Sequence, residues 1–213
     1  MRKALAFLAL AAWLAGGCGM LGMGDDLPDD TPGLIEALAS PNYFPRVEGY
    51  AIIYPEGFDH KAQERVLRAE RKLREKGFAA VPHLMQYLED IRYSYTERFD
   101  TWHNHAVGEV CFYIIEDLIE VRGCDYASRI GADGKEHDRP SYLWSVAMLG
   151  KMQQWWQERA GRSLCALRIE AGEWTLAEER KIGFTDQAQE RRVTAPLLKR
   201  LGELKSRQEK DLP

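Results

Sequence analysis

The sequence predicts an all-α protein, either an irregular helical bundle or a short array of helical hairpins, with a flexible N-terminal tether. After residue 31, apolar residues recur along each long segment at intervals of three and four, which is the period of an α-helix. One segment, 107–121, is apolar over most of its circumference and indicates a buried central helix. Of the 213 residues, 45% are hydrophobic and 29% are charged, which excludes disorder and a polytopic membrane fold.

The first seventeen residues have the three parts of a secretion signal. Arg2 and Lys3 form a positive start, an apolar run follows from Ala4 to Leu14, and small residues come next. A helix that crosses a bilayer needs about 20 apolar residues, so this run is too short to be a helical membrane anchor. We therefore expect residues 1–17 to be a cleaved signal peptide.

The junction Leu14-Ala15-Gly16-Gly17-Cys18 resembles the lipobox of bacterial lipoproteins. The resemblance implies that the Cys18 thiol is acylated, for example with palmitate, and that the mature protein stays on a membrane, since two or more acyl chains anchor a protein stably. Gly19, at the position where inner-membrane lipoproteins carry Asp, implies the outer membrane, facing the periplasm. Residues 18–30 then predict a flexible tether, and residues 31–213 a single α-helical domain.

The charge balance excludes a nucleic-acid partner. Removing Arg2 and Lys3 from the 29 basic residues leaves 27 against 33 acidic ones, so the formal charge falls from −4 to −6. A nucleic-acid interface needs clustered Lys and Arg to displace counterions, and an acidic chain adsorbs poorly to anionic lipid. The acyl chains, and not surface charge, are therefore expected to hold the protein on the bilayer.

The N-terminal part of the domain predicts helices separated by a loop. Pro32 marks a first helix start, and a proline- and glycine-rich loop, 42–59, follows. Asp59 is a good N-cap for an amphipathic helix that Gly77 ends, and a second helix restarts at Phe78. The apolar stripes are Leu34, Ile35 and Leu38; Ala62, Val66, Ala69 and Leu73; and Val81, Leu84, Met85, Leu88 and Ile91.

The segment from Ala69 to Asp90 resembles a HEAT-type helical repeat, with its small residue, Leu, Gly, Pro and closing Leu-Glu-Asp. The resemblance covers about one unit of ~40 residues, and the sequence shows no second clear copy at a fixed period. Because one unit alone cannot bury its apolar face, the resemblance implies either degenerate further units or a non-repeating bundle.

The central helix begins at Val107 and is followed by a region without periodicity. Residues 123–140 hold three glycines and mixed charged residues, which predicts a long loop. Ser141 then caps a helix that extends to Gly161. One side of this helix is predicted to hold Trp144, Met148, Met152 and Trp155.

The C-terminal region predicts further helices. Their expected ranges are 163–171, 175–181 and 185–209. Thr175 and Glu178 have capping-box spacing, which predicts a helix start there. Pro196 must kink or break the last helix, because proline removes a backbone donor and clashes with the preceding turn.

Three cysteines follow Cys18. Cys111 lies on the apolar stripe of the central helix and is expected to be a buried hydrophobe. Cys124 and Cys165 are candidates for one disulfide in an oxidising compartment, although their spacing does not establish that they meet. The absence of a CxxC motif gives no support for a thiol oxidoreductase or a cysteine-rich zinc site.

The triplet His103-Asn104-His105 has two interpretations. In an extended segment the two imidazoles face one side and form a metal site, with Glu109, His137 or Asp138 as candidates to complete it. Near a helix start, Asn104 instead serves as the N-cap of the helix from Val107, and the histidines make surface hydrogen bonds. The sequence favours the second interpretation, because HxH is short and common.

The segment from Asp90 to Trp102 is predicted to be a loop between helices and is rich in aromatic residues. Its candidate binding residues are Arg92, Tyr93, Tyr95 and Trp102. Tyr, Trp and Arg dominate interface hot spots, so this loop is the best candidate surface for a partner. The alternative is that its aromatic side chains cover the core and that Arg92 pairs with Asp90 or Glu89.

The sequence therefore predicts a lipid-anchored, non-enzymatic module that binds a protein partner, as an assembly accessory or a toxin-neutralising protein. The step from helix pairs to partner binding is an analogy with helical-repeat folds. The chain lacks GxSxG and GxxxxGK[ST], and no cofactor is expected. The alternative function is a metal-dependent envelope hydrolase with ligands around His103 and His105.

Overall fold

The structure is a computed structural model and describes residues 27–48, 51–98, 102–121 and 126–210. The predicted signal peptide and Cys18 lie outside these ranges. Leu27, which the sequence places in the tether, is buried against the core.

The described chain is mostly helical, as predicted, but it is not purely α. Its α-helices are α1 Thr31–Glu36, α2 His60–Lys76, α3 Val81–Leu84, α4 Val107–Ile119, α5 Tyr142–Met148, α6 Met152–Gln157, α7 Leu164–Ile182 and α8 Gln187–Lys210. Its strands are β1 Arg46–Glu48, β2 Ala51–Ile53, β3 Tyr93–Arg98, β4 Trp102–Ala106, β5 Ser128–Ile130 and β6 Glu136–Asp138. They pair in order as three antiparallel two-stranded sheets, β1–β2, β3–β4 and β5–β6.

Helix α2 is formed by the local signals that the sequence contains. The Asp59 side chain accepts hydrogen bonds from the backbone N–H groups of Lys61 and Ala62, as expected of an N-cap. Gly77 follows the helix with a φ of 61°, a conformation that glycine adopts without strain. The apolar face of α2 is fully buried at Val66, Ala69 and Leu73.

The segment after Gly77 differs from the single helix that was predicted. A 3₁₀ turn over Gly77–Ala80, the short helix α3 and a second 3₁₀ turn over Met85–Tyr87 replace it. Ile91, predicted on the apolar stripe, is 90% exposed, because the helical turns end before it. The HEAT-like arrangement is therefore not confirmed.

Helix α4 is the centre of the main core, as predicted. It buries eight side chains or glycines, namely Val107, Gly108, Val110, Cys111, Phe112, Ile114, Ile115 and Ile119. Its first turn packs closely under the α3 region, since a Cβ at Gly108 would come within 2.3 Å of the Leu88 carbonyl oxygen. The backbone N–H groups of Val107 and Gly108 donate to the Arg92 and Asp90 carbonyls at 2.9 Å, which fixes the start of the helix.

Two predictions for residues 123–161 are wrong in part. The predicted long loop contains the hairpin β5–β6, and the predicted continuous helix is divided into α5 and α6 at Gly150, which has a φ of 64°. The residues predicted along one side therefore differ in burial: Trp144 is 42% and Met148 80% exposed, whereas Met152 and Trp155 are buried.

The C-terminal region forms two long helices rather than three. Helix α7 runs without interruption through Thr175, which is buried and does not cap a second helix. Helix α8 continues past Pro196, so the proline does not break it. The two helices enclose a second core made of Val121, Ile169, Leu176, Leu197, Leu201 and Leu204.

Among the residues that the structure describes, no helix has both the length and the apolar character needed to cross a membrane.

Candidate functional site

The predicted aromatic loop is a β-hairpin, β3–β4, that leads directly into helix α4. Tyr95 pairs with His105, Thr96 with Asn104, and Glu97 with His103. The prediction of a loop is wrong because aromatic and β-branched residues in these two short runs fit a pleated surface better than an irregular connection.

A β-bulge between Tyr93 and Tyr95 gives the hairpin two different faces. Side chains two apart on a strand share a face, and paired residues on the neighbouring strand lie beside them. The histidine face consists of Tyr95, Glu97, His103 and His105. The tyrosine face consists of Tyr93, Thr96, Trp102 and Asn104, and on it the Tyr93 hydroxyl lies 2.8 Å from the Thr96 hydroxyl.

The four predicted binding residues do not form one patch. Tyr95 is 7% exposed and belongs to the main core, with its ring centroid 5.0 Å from that of His105. Tyr93 and Trp102 are partly buried on the opposite face. Arg92 donates to Asp90 and Glu36 at 2.6–3.0 Å, including the pairing with Asp90 that the alternative interpretation named.

Asn104 is not the N-cap of helix α4. Its side-chain N–H donates to the Pro45 carbonyl at 2.9 Å, and its side-chain oxygen accepts from the Thr96 hydroxyl at 2.6 Å. Ala106 is the N-cap residue, and the Glu109 carboxylate accepts its backbone N–H at 2.8 Å. The extended backbone of β4 therefore satisfies the condition that the metal-site interpretation required.

His103, His105 and Glu109 come together where the histidine face meets helix α4. Glu109 Oε1 lies 3.6 Å from His103 Nε2, and Glu109 Oε2 lies 3.8 Å from His105 Nδ1. The two imidazole centroids are 4.7 Å apart. Within the described part of the chain, these are the side chains that form a group of three His, Cys, Asp or Glu ligand atoms, all within 4.8 Å of one another.

The environment of His105 favours the neutral form of its imidazole. Burial lowers the pKa of His105, and the neighbouring His103 adds to this decrease, whereas Glu109 opposes it. The His105 ring is also packed edge-on against Tyr113, at a centroid distance of 5.5 Å. A neutral imidazole has a lone pair available for a metal ion, so the state of His105 at neutral pH suits a ligand.

An aromatic cleft of about 350 Å³ begins beside Glu109. Phe112, Tyr113 and Trp144 line it, with the Phe112 and Trp144 rings 4.9 Å apart. Gly108, which packs against the Leu88 carbonyl, also lines it. Apolar walls together with two carboxylates, those of Glu89 and Glu109, can accommodate an apolar group that carries a polar or basic end.

A second aromatic region was missed by the sequence reasoning. The aromatic surface, as we name it, consists of Tyr43, Phe44, Tyr54 and Tyr93. Tyr43 is 84% exposed and Phe44 64% exposed, and the Phe44 ring packs edge-on against Tyr93 at 6.5 Å. Burial raises the pKa of Tyr93, and the nearby Tyr54 phenol adds to that increase. The signal was the Tyr43-Phe44 pair beside Pro45 in a predicted loop.

The other two predicted ligands and the cysteines lie elsewhere. His137 and Asp138 are in β6, where His137 Nε2 is 2.9 Å from Asp133. Cys111 is fully buried, as predicted, and burial raises the pKa of its thiol to about 12. The Cys165 thiol lies 3.3 Å from the Leu204 carbonyl oxygen, and Cys124 lies outside the described residues, so their pairing stays a prediction.

Comparisons with family models, with curated proteins and with solved structures find no significant match for this chain.

Proposed function

We propose that the protein is a lipid-anchored, non-enzymatic helical module of the bacterial envelope that binds a protein partner through its aromatic surface. The observation that carries this proposal is the exposure of Tyr43 and Phe44 on a backbone that is fixed on both sides. Large exposed aromatic side chains on an ordered segment are typical of interface anchors.

Hydrogen bonds on either side of the Tyr43-Phe44 segment hold its backbone in place. On the N-terminal side, Asn42 donates to the Asp59 carbonyl at 2.9 Å and accepts the Asp59 backbone N–H at 2.8 Å. On the C-terminal side, the Pro45 carbonyl accepts from Asn104 at 2.9 Å. Because the backbone between these points is already ordered, binding costs less conformational entropy than it would for a flexible loop.

The chemistry of the aromatic surface favours a protein partner. Tyr43 and Tyr54 combine apolar rings with hydroxyl groups, so they can bury area and satisfy hydrogen bonds in the same contact. The Arg46–Glu48 ion pair, at 3.0 Å, lies on the adjacent strand β1 and supplies a polar rim. A neutralising contact with a secreted toxin and an accessory contact in an envelope assembly both use such a surface.

The membrane anchor is tested by Cys18→Ser in the full chain. The lipobox resemblance makes this thiol the acyl acceptor, so the variant should be uncleaved or mislocalised and should leave the membrane in sodium carbonate. Cell fractionation measures the result. Unchanged attachment would place the anchor elsewhere in the chain.

The binding surface is tested by a double variant, Tyr43→Ser with Phe44→Ser, in the lipidated full chain. Crosslinking and pull-down from envelopes should show the partner with the wild type and a loss of at least about 30-fold with the variant, since a hot-spot truncation costs ~2 kcal/mol or more. Melting temperatures should stay within a few degrees, because both side chains are exposed.

A matched control is available in the pair Met148→Ser with Leu149→Ser. These residues are also large, apolar and exposed, at 80% and 67%, but they lie at the end of helix α5. The proposal requires that this control keeps partner capture. Equal capture by both double variants, or loss in the control alone, would exclude the aromatic surface as the binding site.

A further inference from the structure

We propose that His103, His105 and Glu109 bind one divalent transition-metal ion of the Zn²⁺ type. The ligands come from two elements, strand β4 and the first turn of helix α4, which the chain joins without a loop. This inference goes beyond partner binding and does not depend on it.

The backbone places the three side chains together without any rearrangement of the fold. His103 and His105 are two apart on an extended strand, so both imidazoles project from the histidine face. Glu109 is the third residue of helix α4, where its carboxylate lies 3.6–3.8 Å from one nitrogen of each ring. Ligand atoms of a tetrahedral zinc site lie ~3.3–3.5 Å apart, as its bond lengths of ~2.0–2.1 Å require. The three ligand atoms lie within 4.8 Å of one another, so side-chain rotations that draw them together by up to about 1.3 Å complete the geometry.

The chemistry of the three ligand side chains indicates which kind of metal ion binds. Two imidazoles and one carboxylate are the protein ligands of several zinc sites that keep a fourth position open. Calcium and magnesium prefer sites made only of oxygen atoms, so they are poorly matched to His103 and His105. The His103 side chain is 53% and the Glu109 side chain 44% exposed, which leaves the site accessible to an entering ion and to a fourth ligand.

Glu97 has the position of a second carboxylate that orients His105. It pairs with His103 across the hairpin, and its Oε2 lies 3.8 Å from His105 Nε2, on the ring edge opposite Glu109. A ligating histidine commonly gives its other N–H to a carboxylate, which fixes the tautomer that leaves the ligand nitrogen free of a proton. Glu97 is therefore a positioning residue that directs Nδ1 of His105 toward the ion.

An occupied site would join the hairpin to the start of helix α4 at the edge of the aromatic cleft. Glu109 belongs both to the ligand set and to the lining of the cleft, which Tyr113 shares. A metal-dependent hydrolase, the alternative function from the sequence, requires this occupancy first.

The experiment uses the full chain purified in detergent and treated with a chelator. Zn²⁺ is titrated in competition with a chromophoric chelator, and Co²⁺ is added separately to record its visible spectrum. We expect one ion per chain, an increase in melting temperature on Zn²⁺ addition and Co²⁺ bands of a four-coordinate nitrogen and oxygen site.

Two variants remove ligands without removing buried volume. His103→Gln changes a half-exposed ring, and Glu109→Gln keeps a side-chain oxygen that can accept the Ala106 N–H. Each should weaken Zn²⁺ binding by at least about 100-fold, the upper limit of the loss seen for outer-shell partners. His137→Gln, which alters the separate His137–Asp133 pair, is the matched control and should leave the affinity unchanged.

The role of Glu97 as a positioning residue is tested separately, by Zn²⁺ affinity and by the Co²⁺ spectrum. Glu97→Gln should weaken Zn²⁺ binding by about 10-fold while the Co²⁺ spectrum keeps its shape, and Glu97→Asp should recover part of the loss. Binding that survives both His103→Gln and Glu109→Gln, or that is lost in His137→Gln, would overturn the proposed site. The absence of Zn²⁺ binding to a wild-type chain with native circular dichroism would overturn it as well.

Discussion

Two hairpins of this protein contact helices through polar side chains, and the two contacts differ in the distances between their polar atoms. Hairpin β5–β6 meets helix α7 through Arg129 and Glu179, whose side chains are 4% and 0% exposed. Arg129 donates to the Glu179 carboxylate at 2.7 and 2.9 Å and to the Gly183 carbonyl at 2.7 Å, and its guanidinium lies 4.8 Å from the Phe184 ring centroid.

Hairpin β3–β4 meets helix α4 through a looser polar contact. The closest approaches of His103 and His105 to Glu109 are 3.6 and 3.8 Å, longer than hydrogen bonds, and two of the three side chains are about half exposed. The first contact already uses its donors and acceptors and therefore holds the fold together. In the second contact, nitrogen and oxygen atoms lie at distances that suit the ion proposed above.

The largest loss of stability is expected from breaking the contact between hairpin β5–β6 and helix α7. Glu179→Ala leaves the Arg129 guanidinium buried without its carboxylate and should lower the free energy of unfolding by ~3–5 kcal/mol. Urea denaturation measures this loss. The neighbouring Glu178, whose carboxylate pairs with Lys181 near the surface, is the control, and Glu178→Ala should cost less than about 1 kcal/mol. Equal losses in the two variants would contradict the comparison.

In β3–β4, apolar packing and not the polar cluster should provide the stability. Tyr95→Ala removes a buried ring from the main core and should cost ~3–5 kcal/mol, whereas His103→Gln in metal-free protein should cost less than about 0.5 kcal/mol. Tyr95→Phe keeps the ring and should retain most of the stability. Thermal and urea unfolding of the three variants decide the point, and a large loss in His103→Gln would show that the cluster is structural.

A substitution of Gly108, at the junction between β3–β4 and helix α4, is expected to cause an intermediate loss of stability. A Cβ there would lie 2.3 Å from the Leu88 carbonyl oxygen, so Gly108→Ala forces a backbone shift and should cost ~1–3 kcal/mol. Gly202, inside helix α8, has no atom within 4 Å of the corresponding position. Gly202→Ala should therefore stabilise the protein by ~0.5–1 kcal/mol, and unfolding curves with the same sign for both variants would refute the close approach.

The smallest loss of stability is expected from breaking the exposed ion pairs of Arg92, just before strand β3. Hydrogen bonds from Arg92 lower the pKa of Asp90 below 3.8 and that of Glu36 below 4.5. Groups with a lowered folded-state pKa stabilise the protein above their unfolded pKa and lose this contribution as the pH falls through the folded value. Arg92→Gln should cost ~0.2–1 kcal/mol at pH 7 and progressively less as the pH falls through the lowered pKa values of Asp90 and Glu36. Unfolding measured at pH 7 and over a series of acidic pH values tests this, and a pH-independent difference would contradict it.

The sequence predicted those elements whose signals are local. Asp59 and Gly77 lie within a few residues of the helix ends that they fix, and the apolar stripe of α4 repeats within one segment. The break at Gly150 was missed, although glycine is a common interruption, because the apolar stripe continues through it.

The candidate site was predicted only in part, because its decisive contacts join distant residues. The sequence named His103, His105 and Glu109, but choosing between a helix cap and a metal site required knowing that β4 is extended. Arg129 and Glu179 are 50 residues apart, and no spacing rule connects them. The aromatic surface likewise depends on a contact between Pro45 and Asn104, 59 residues apart, which fixes the Tyr43-Phe44 segment.

Because of the β-bulge before Tyr95, Tyr93 and Tyr95 face different surroundings and are under different evolutionary constraints. Because side chains alternate with a period of two, the unpaired residue at the bulge places Tyr93 beside Thr96, on the face opposite Tyr95. Substitutions at Tyr93 therefore alter the aromatic surface, while those at Tyr95 alter the core and the surroundings of His105. A one-residue deletion at Ser94 would make the strand regular, with Tyr93 directly before Tyr95 and still paired with Ala106 on the tyrosine face, so a change in length here would preserve the separation of the two faces.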